Sequence, residues 1–107
     1  MKKLIFVFLL LQFSGIKIIA QQPSTLEGKN ILVVYGGWKG HQPEIFATKI
    51  ADWLKTQHAN VILSESTASY TDTELMDSLD LVIQHITMSK MSARESSGLS
   101  RAILNGV

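Results

Sequence analysis

The sequence predicts an α/β domain on an open parallel sheet, incomplete, with about three βα units. Two observations predict it. Short apolar runs rich in branched residues, of the kind that form strands buried on both faces, alternate with stretches of helical periodicity. The resulting order is βαβαβα with short loops, which implies parallel strands joined by right-handed crossovers. The 107 residues leave room for one small domain.

The first twenty residues are expected to lie outside that domain. Met1-Lys2-Lys3 is basic, Leu4 to Leu11 is unbroken apolar sequence, and Ala20 precedes the polar Gln21-Gln22. This is the pattern of a secretory signal peptide, residues 1–20, cut after Ala20. The apolar run falls short of the roughly 20 residues that span a bilayer, and Lys17 blocks its extension. An uncleaved amphipathic anchor or a buried strand is the competing reading. Residues 21–29 carry Pro23 and Gly28 among polar neighbours and read as a leader.

The domain then occupies residues 30–107. Asn30 to Tyr35 is the first strand, and Gly36-Gly37-Trp38-Lys39-Gly40-His41-Gln42 is its glycine-rich exit. Pro43 suits a first helical position. Phe46, Ile50, Trp53, Leu54 and Gln57 recur at helical spacing with Ala47 and Ala51 beside them, while Lys49, Asp52 and Lys55 take the other side. This spacing predicts a helix of about four turns with Trp53 in the core, and His58 near its end complements the helix dipole. Val61 to Leu63 is a short second strand, exiting through Ser64 to Ser69. Thr71-Asp72-Thr73-Glu74 has the form of a capping box opening a short helix through Met76. Leu79 to His85 is the third strand, with Ile86 to Met91 as its exit. Ser92-Ala93-Arg94-Glu95 is a second capping box, Leu99, Ala102 and Ile103 give the apolar stripe of a third helix, and Asn105-Gly106 stops it.

Charge and composition exclude several functions. Without residues 1–20 the chain keeps seven Lys and Arg against nine Asp and Glu, a net charge of −2. No basic cluster remains to bind nucleic acid. The absence of cysteine removes disulfides, thiolate nucleophiles, cysteine metal sites and a lipid-modified amino terminus. The expected address is periplasmic or secreted, with no membrane association after cleavage. Three strands alone leave an exposed edge and uncovered apolar positions, so the expectation is a fragment, or a domain completed by another chain or by self-association.

Open parallel sheets bind ligands at the carboxyl ends of strands, where strand order reverses. With the order 2-1-3, the reversal lies between strands one and three, flanked by residues 36–42 and 84–91. Each loop carries a histidine, His41 and His85. His41 precedes a helix N-terminus, where backbone N–H groups can receive an anion or a sugar oxygen, and either binds ligand or caps its own helix. His85 ends an apolar strand and is either functional or a half-buried histidine bonded to backbone. Two histidines do not define a metal site, and any third ligand would come from carboxylates or another segment. Trp38 either stacks on a sugar ring or packs over the glycine turn. Gly36, Gly37 and Gly40 permit close backbone approach but lack the G-x-G-x-x-G order of a dinucleotide site and the form of a Walker loop.

The run from Asn30 through Gly36-Gly37, Trp38 and Gly40-His41, with Leu79 to Ile83 and Met91 to Glu95, resembles the ThuA-like (trehalose-utilisation) family. The resemblance covers residues 30–107, about the first half of that family's domain. It implies a flavodoxin-like fold related to class I glutamine amidotransferases and a role in the metabolism of trehalose or related sugars. Gly36, Gly37 and His41 match the family's first-loop motif, and the family's next strand with its histidine-bearing glycine turn has no counterpart. Two functions follow: a sugar-processing enzyme using His41 and His85, or a non-catalytic carbohydrate-binding module using Trp38 and the backbone of Gly36, Gly37 and Gly40. An amidotransferase is disfavoured for want of cysteine, and an FMN protein for want of first-loop hydroxyls. No cofactor is indicated.

Overall fold

A computed structural model describes residues 25–107. The expected signal peptide and the first part of the leader lie outside the described residues. The elements are β1 (Asn30–Gly37), α1 (Pro43–Thr56), β2 (Asn60–Ser64), α2 (Thr73–Asp77), β3 (Leu81–Thr87) and α3 (Ala93–Leu104), with 3₁₀ turns at Lys39–His41 and Thr67–Thr71. The strands form one parallel sheet in the order β2-β1-β3. This is an open α/β sheet of the flavodoxin-like kind with about three βα units.

The continuous apolar run of β1 is explained by its central place, since both of its faces are covered. Ile31 and Val33 face α1 and join Ala47, Leu54 and Ala59, with Ile50, Val61 and Ile83 packed around them. Leu32 and Val34 face the opposite layer, where they meet Tyr70, Met76, Leu79 and Ala102. Alternate residues of β1 thus serve two cores, as the period of two requires. At the foot of the sheet, Asn30 ties β1 to β2 and to the residues that lead into β3. Its N–H donates to Asp80 Oδ2 at 2.8 Å, its side chain donates to the Ser78 carbonyl at 2.9 Å, and its Oδ1 accepts from Asn60 at 3.0 Å.

Both long helices end in Schellman motifs. After α3 the N–H groups of Gly106 and Val107 donate to the carbonyls of Ile103 and Ala102, both at 3.1 Å. After α1 the N–H groups of His58 and Ala59 donate to Lys55 and Leu54 at 2.9 and 3.2 Å. His58 therefore holds the left-handed position, φ 63°, that glycine usually takes.

Four expectations need correction. Trp53 is 53 % exposed and not in the core. It lies at the outer edge of the apolar side of α1, beyond Ile50, which packs on the first core, and Phe46, which stacks on a β3 side chain. The cap of α2 is Asp72, which accepts from the Leu75 N–H at 3.0 Å, and not Thr71, which closes the preceding 3₁₀ turn. Leu79 is buried but precedes β3, which starts at Leu81 because Ser78 still closes α2. β1 and β3 also run two residues further than their apolar runs, to Gly37 and Thr87, because their ladder continues into the polar exits. Among the described residues, no helix is long and apolar enough to cross a membrane.

Candidate functional site

The strand order places the reversal between β1 and β3, and the two loops predicted to flank it are joined there. Gly37 pairs with Thr87 at the end of the ladder. The Trp38 N–H donates to the Thr87 carbonyl at 3.0 Å, and His41 Nδ1 lies 2.9 Å from Thr87 Oγ1. Gly37 has φ +84°, and a Cβ there would collide with the Thr87 carbonyl, so only glycine lets the two exits close. Both loops carry a non-glycine residue in the left-handed region, Gln42 at φ 51° and Met88 at φ 52°. Such residues gather where the fold fixes a loop against its own preference.

Trp38 packs over the backbone of Gly40, where a side chain would occupy the space of its ring. It also meets the His41 imidazole edge-on, with ring centroids 4.7 Å apart and planes at 75°. The indole still remains 52 % exposed. Local packing and an accessible ring thus coexist at one residue. His41 does not cap α1: its Nδ1 is engaged by Thr87, and the cap position, Gln42, makes no side-chain cap bond.

His85 lies on the face of β3 that carries Thr87, one pleat repeat earlier, about 6–7 Å along the strand. Its ring stacks on Phe46 of α1 at 4.4 Å, and its Nε2 is buried without a hydrogen-bond partner. The two histidines therefore meet one face of β3 at successive levels, His41 bonded to Thr87 at the end of the strand and His85 stacked on Phe46 one pleat repeat earlier. Among the described residues, no group of three or more His, Asp or Glu side chains comes together to hold a metal ion.

A cavity of about 330 Å³ opens on the other side of β1, between the carboxyl ends of β1 and β2 and the first turn of α1. Gly36 and Gly37 form part of its wall, with Tyr35, Lys39, Glu44 and Glu65 supplying a phenol, an ammonium and two carboxylates. Of the predicted binding residues, Gly36 and Gly37 line this cavity, whereas Trp38, Gly40 and His41 belong to the rim toward β3. Sequence reasoning missed Thr87, Tyr35, Lys39, Glu44 and Glu65 as site residues. Thr87 could have been found by aligning the two strand exits, since parallel pairing of β1 with β3 sets it opposite Gly37.

No family model matches the chain, and no curated protein or solved structure matches it either.

Proposed function

We propose that this chain is an exported ThuA-like protein of the periplasm or cell exterior that handles trehalose or a related small carbohydrate at the carboxyl edge of its sheet. The observation that carries the reading is the cavity of about 330 Å³ beside β1. Its size suits a small ligand, and its mixture of apolar wall and convergent polar groups suits a sugar, whose hydroxyls both donate and accept. Lys39 donates, Glu44 and Glu65 accept, and Tyr35 does either. Gly36 and Gly37 contribute backbone to the wall. His41 stands at the neighbouring rim, where it would serve an enzymatic role together with His85.

A second reading, a non-catalytic carbohydrate-binding module, is favoured by the half-exposed Trp38 indole, because aromatic faces stack on sugar rings. One experiment separates the two. Trehalose is titrated into the protein carrying Trp53→Phe, which leaves Trp38 as its single tryptophan, and fluorescence is recorded. Saturable quenching abolished by Glu65→Gln or Lys39→Ala supports sugar binding at the cavity, and its absence across trehalose and related disaccharides sinks the proposal. Quenching that survives His41→Ala favours the binding module, and loss with an intact fold favours the enzyme.

A further inference from the structure

We infer that Thr87 is a positioning residue for His41, fixing the imidazole through Nδ1 so that Nε2 is the ring atom presented to a ligand. The inference rests on the reading that His41, at the rim beside the cavity, serves the sugar site, and it adds which ring atom does so and what holds it.

Thr87 is suited to the task because it is itself fixed on three sides. It ends β3 in register with Gly37, its carbonyl accepts the Trp38 N–H at 3.0 Å, and its branched side chain has few rotamers. Met88, next in the chain, takes φ 52°, so the strand turns away immediately after the threonine. The hydroxyl then meets His41 Nδ1 at 2.9 Å. Trp38 supplies a second constraint, its ring edge-on to the imidazole at 4.7 Å. Its carbonyl supplies a third, accepting the His41 N–H at 3.2 Å. A ring with one nitrogen tethered, one side walled and its own peptide bonded back has little freedom left. The bond made by one ring nitrogen sets what the other can do. A threonine hydroxyl can donate or accept, so Nδ1 is engaged in either tautomer, and Nε2 is the nitrogen left for another molecule.

The test follows the ¹⁵N resonances of the His41 ring in the full chain, in wild type, Thr87→Val and Thr87→Ser. Valine keeps the branched shape and removes the hydroxyl, and serine keeps the hydroxyl. Thr87→Val is expected to move the Nδ1 resonance while the backbone amide spectrum stays native, and Thr87→Ser to restore it. An Nδ1 resonance equally placed in wild type and Thr87→Val would overturn the inference, with or without sugar. Trehalose is then expected to shift Nε2 and spare Nδ1, and to bind Thr87→Val roughly fivefold more weakly, the cost of re-ordering one freed side chain on binding. A shift on Nδ1 instead would also overturn it. If trehalose binds none of the proteins, the functional reading fails, and the sugar-free comparison of Nδ1 still decides whether Thr87 holds the ring.

Discussion

Gly98 of α3 lies directly against the peptide carbonyl of Tyr70. A Cβ at residue 98 would come within 2.8 Å of the carbonyl carbon and closer still to its oxygen. That approach presses α3 onto the 3₁₀ turn whose Tyr70 side chain is fully buried in the second core. The same Tyr70 donates from its hydroxyl to Gln84 Oε1 of β3 at 2.6 Å. Helix, turn and strand are thereby fixed around one side chain.

Gly98→Ala is therefore expected to destabilise the fold, although alanine is the better helix former by about 1 kcal/mol. The overlap is with backbone on both sides, so relief requires the helix to shift, at a cost of about 2 kcal/mol net. Urea unfolding against Ser97→Ala, an exposed neighbour on the same helix, checks this. Equal midpoints for the two variants would show that α3 is not held so closely.

Burial pushes the Tyr70 hydroxyl up from its ordinary value to about 12. A group with a raised value in the folded state favours folding fully below its unfolded value, near 10. That contribution is lost as pH rises through the folded value. Stability should then fall between about pH 10 and pH 12, and Tyr70→Phe should flatten this fall while costing about 1 kcal/mol at neutral pH for the lost bond. Unfolding curves at pH 8 and pH 11 decide it. An alkaline loss of equal size in the variant would assign the effect to other groups.

Local chemistry made much of this fold legible. The all-apolar β1 announced a central parallel strand, Pro43 opened α1, Ser92 and Glu95 form the expected reciprocal cap, and Gly106 closes α3 as expected. What stayed hidden depends on contacts distant in sequence. Trp53 fits the helical period of the core, but periodicity cannot tell the centre of a helix face from its edge. Thr87 and Gly98 carry no local pattern. One matters through parallel register and the other through a helix meeting a turn 28 residues away. Of the candidate site, the joining of the two loops was legible from strand order, and the cavity on the far side of β1 was not.

The misplacement of Trp53 has a measurable counterpart. With about half of its surface in water, Trp53→Gln should cost only about 1 kcal/mol, since only the covered part of the indole loses contacts. Leu54→Ala, one residue on and 2 % exposed, should cost about 2–5 kcal/mol. Chemical denaturation of both variants tests the contrast. A tryptophan variant as damaged as the leucine variant would mean that this edge of α1 is covered in solution.

The acid side of the stability profile should depend on two carboxylates at opposite ends of the structure. The Asn30 N–H, followed by Lys29, holds Asp80 below the usual carboxylate range. The Ser92 N–H, followed by the Thr67 hydroxyl, does the same for Glu95. A depressed folded value favours folding above the unfolded value, near 4, and the benefit is lost as pH falls through the folded one. Both groups should thus contribute at neutral pH and fail together below about pH 4. Glu95→Gln keeps an acceptor for the Ser92 N–H and removes the charge, so it should flatten the acid loss while α3 stays capped. Asp80→Asn should flatten it too, and its effect should shrink in high salt because the Lys29 partner is exposed and screened. Since the two sites share no partner, their effects should add in the double variant. Acid titration of the unfolding midpoint in the four proteins tests this. An unchanged acid limb in the double variant would place the sensitivity in other carboxylates.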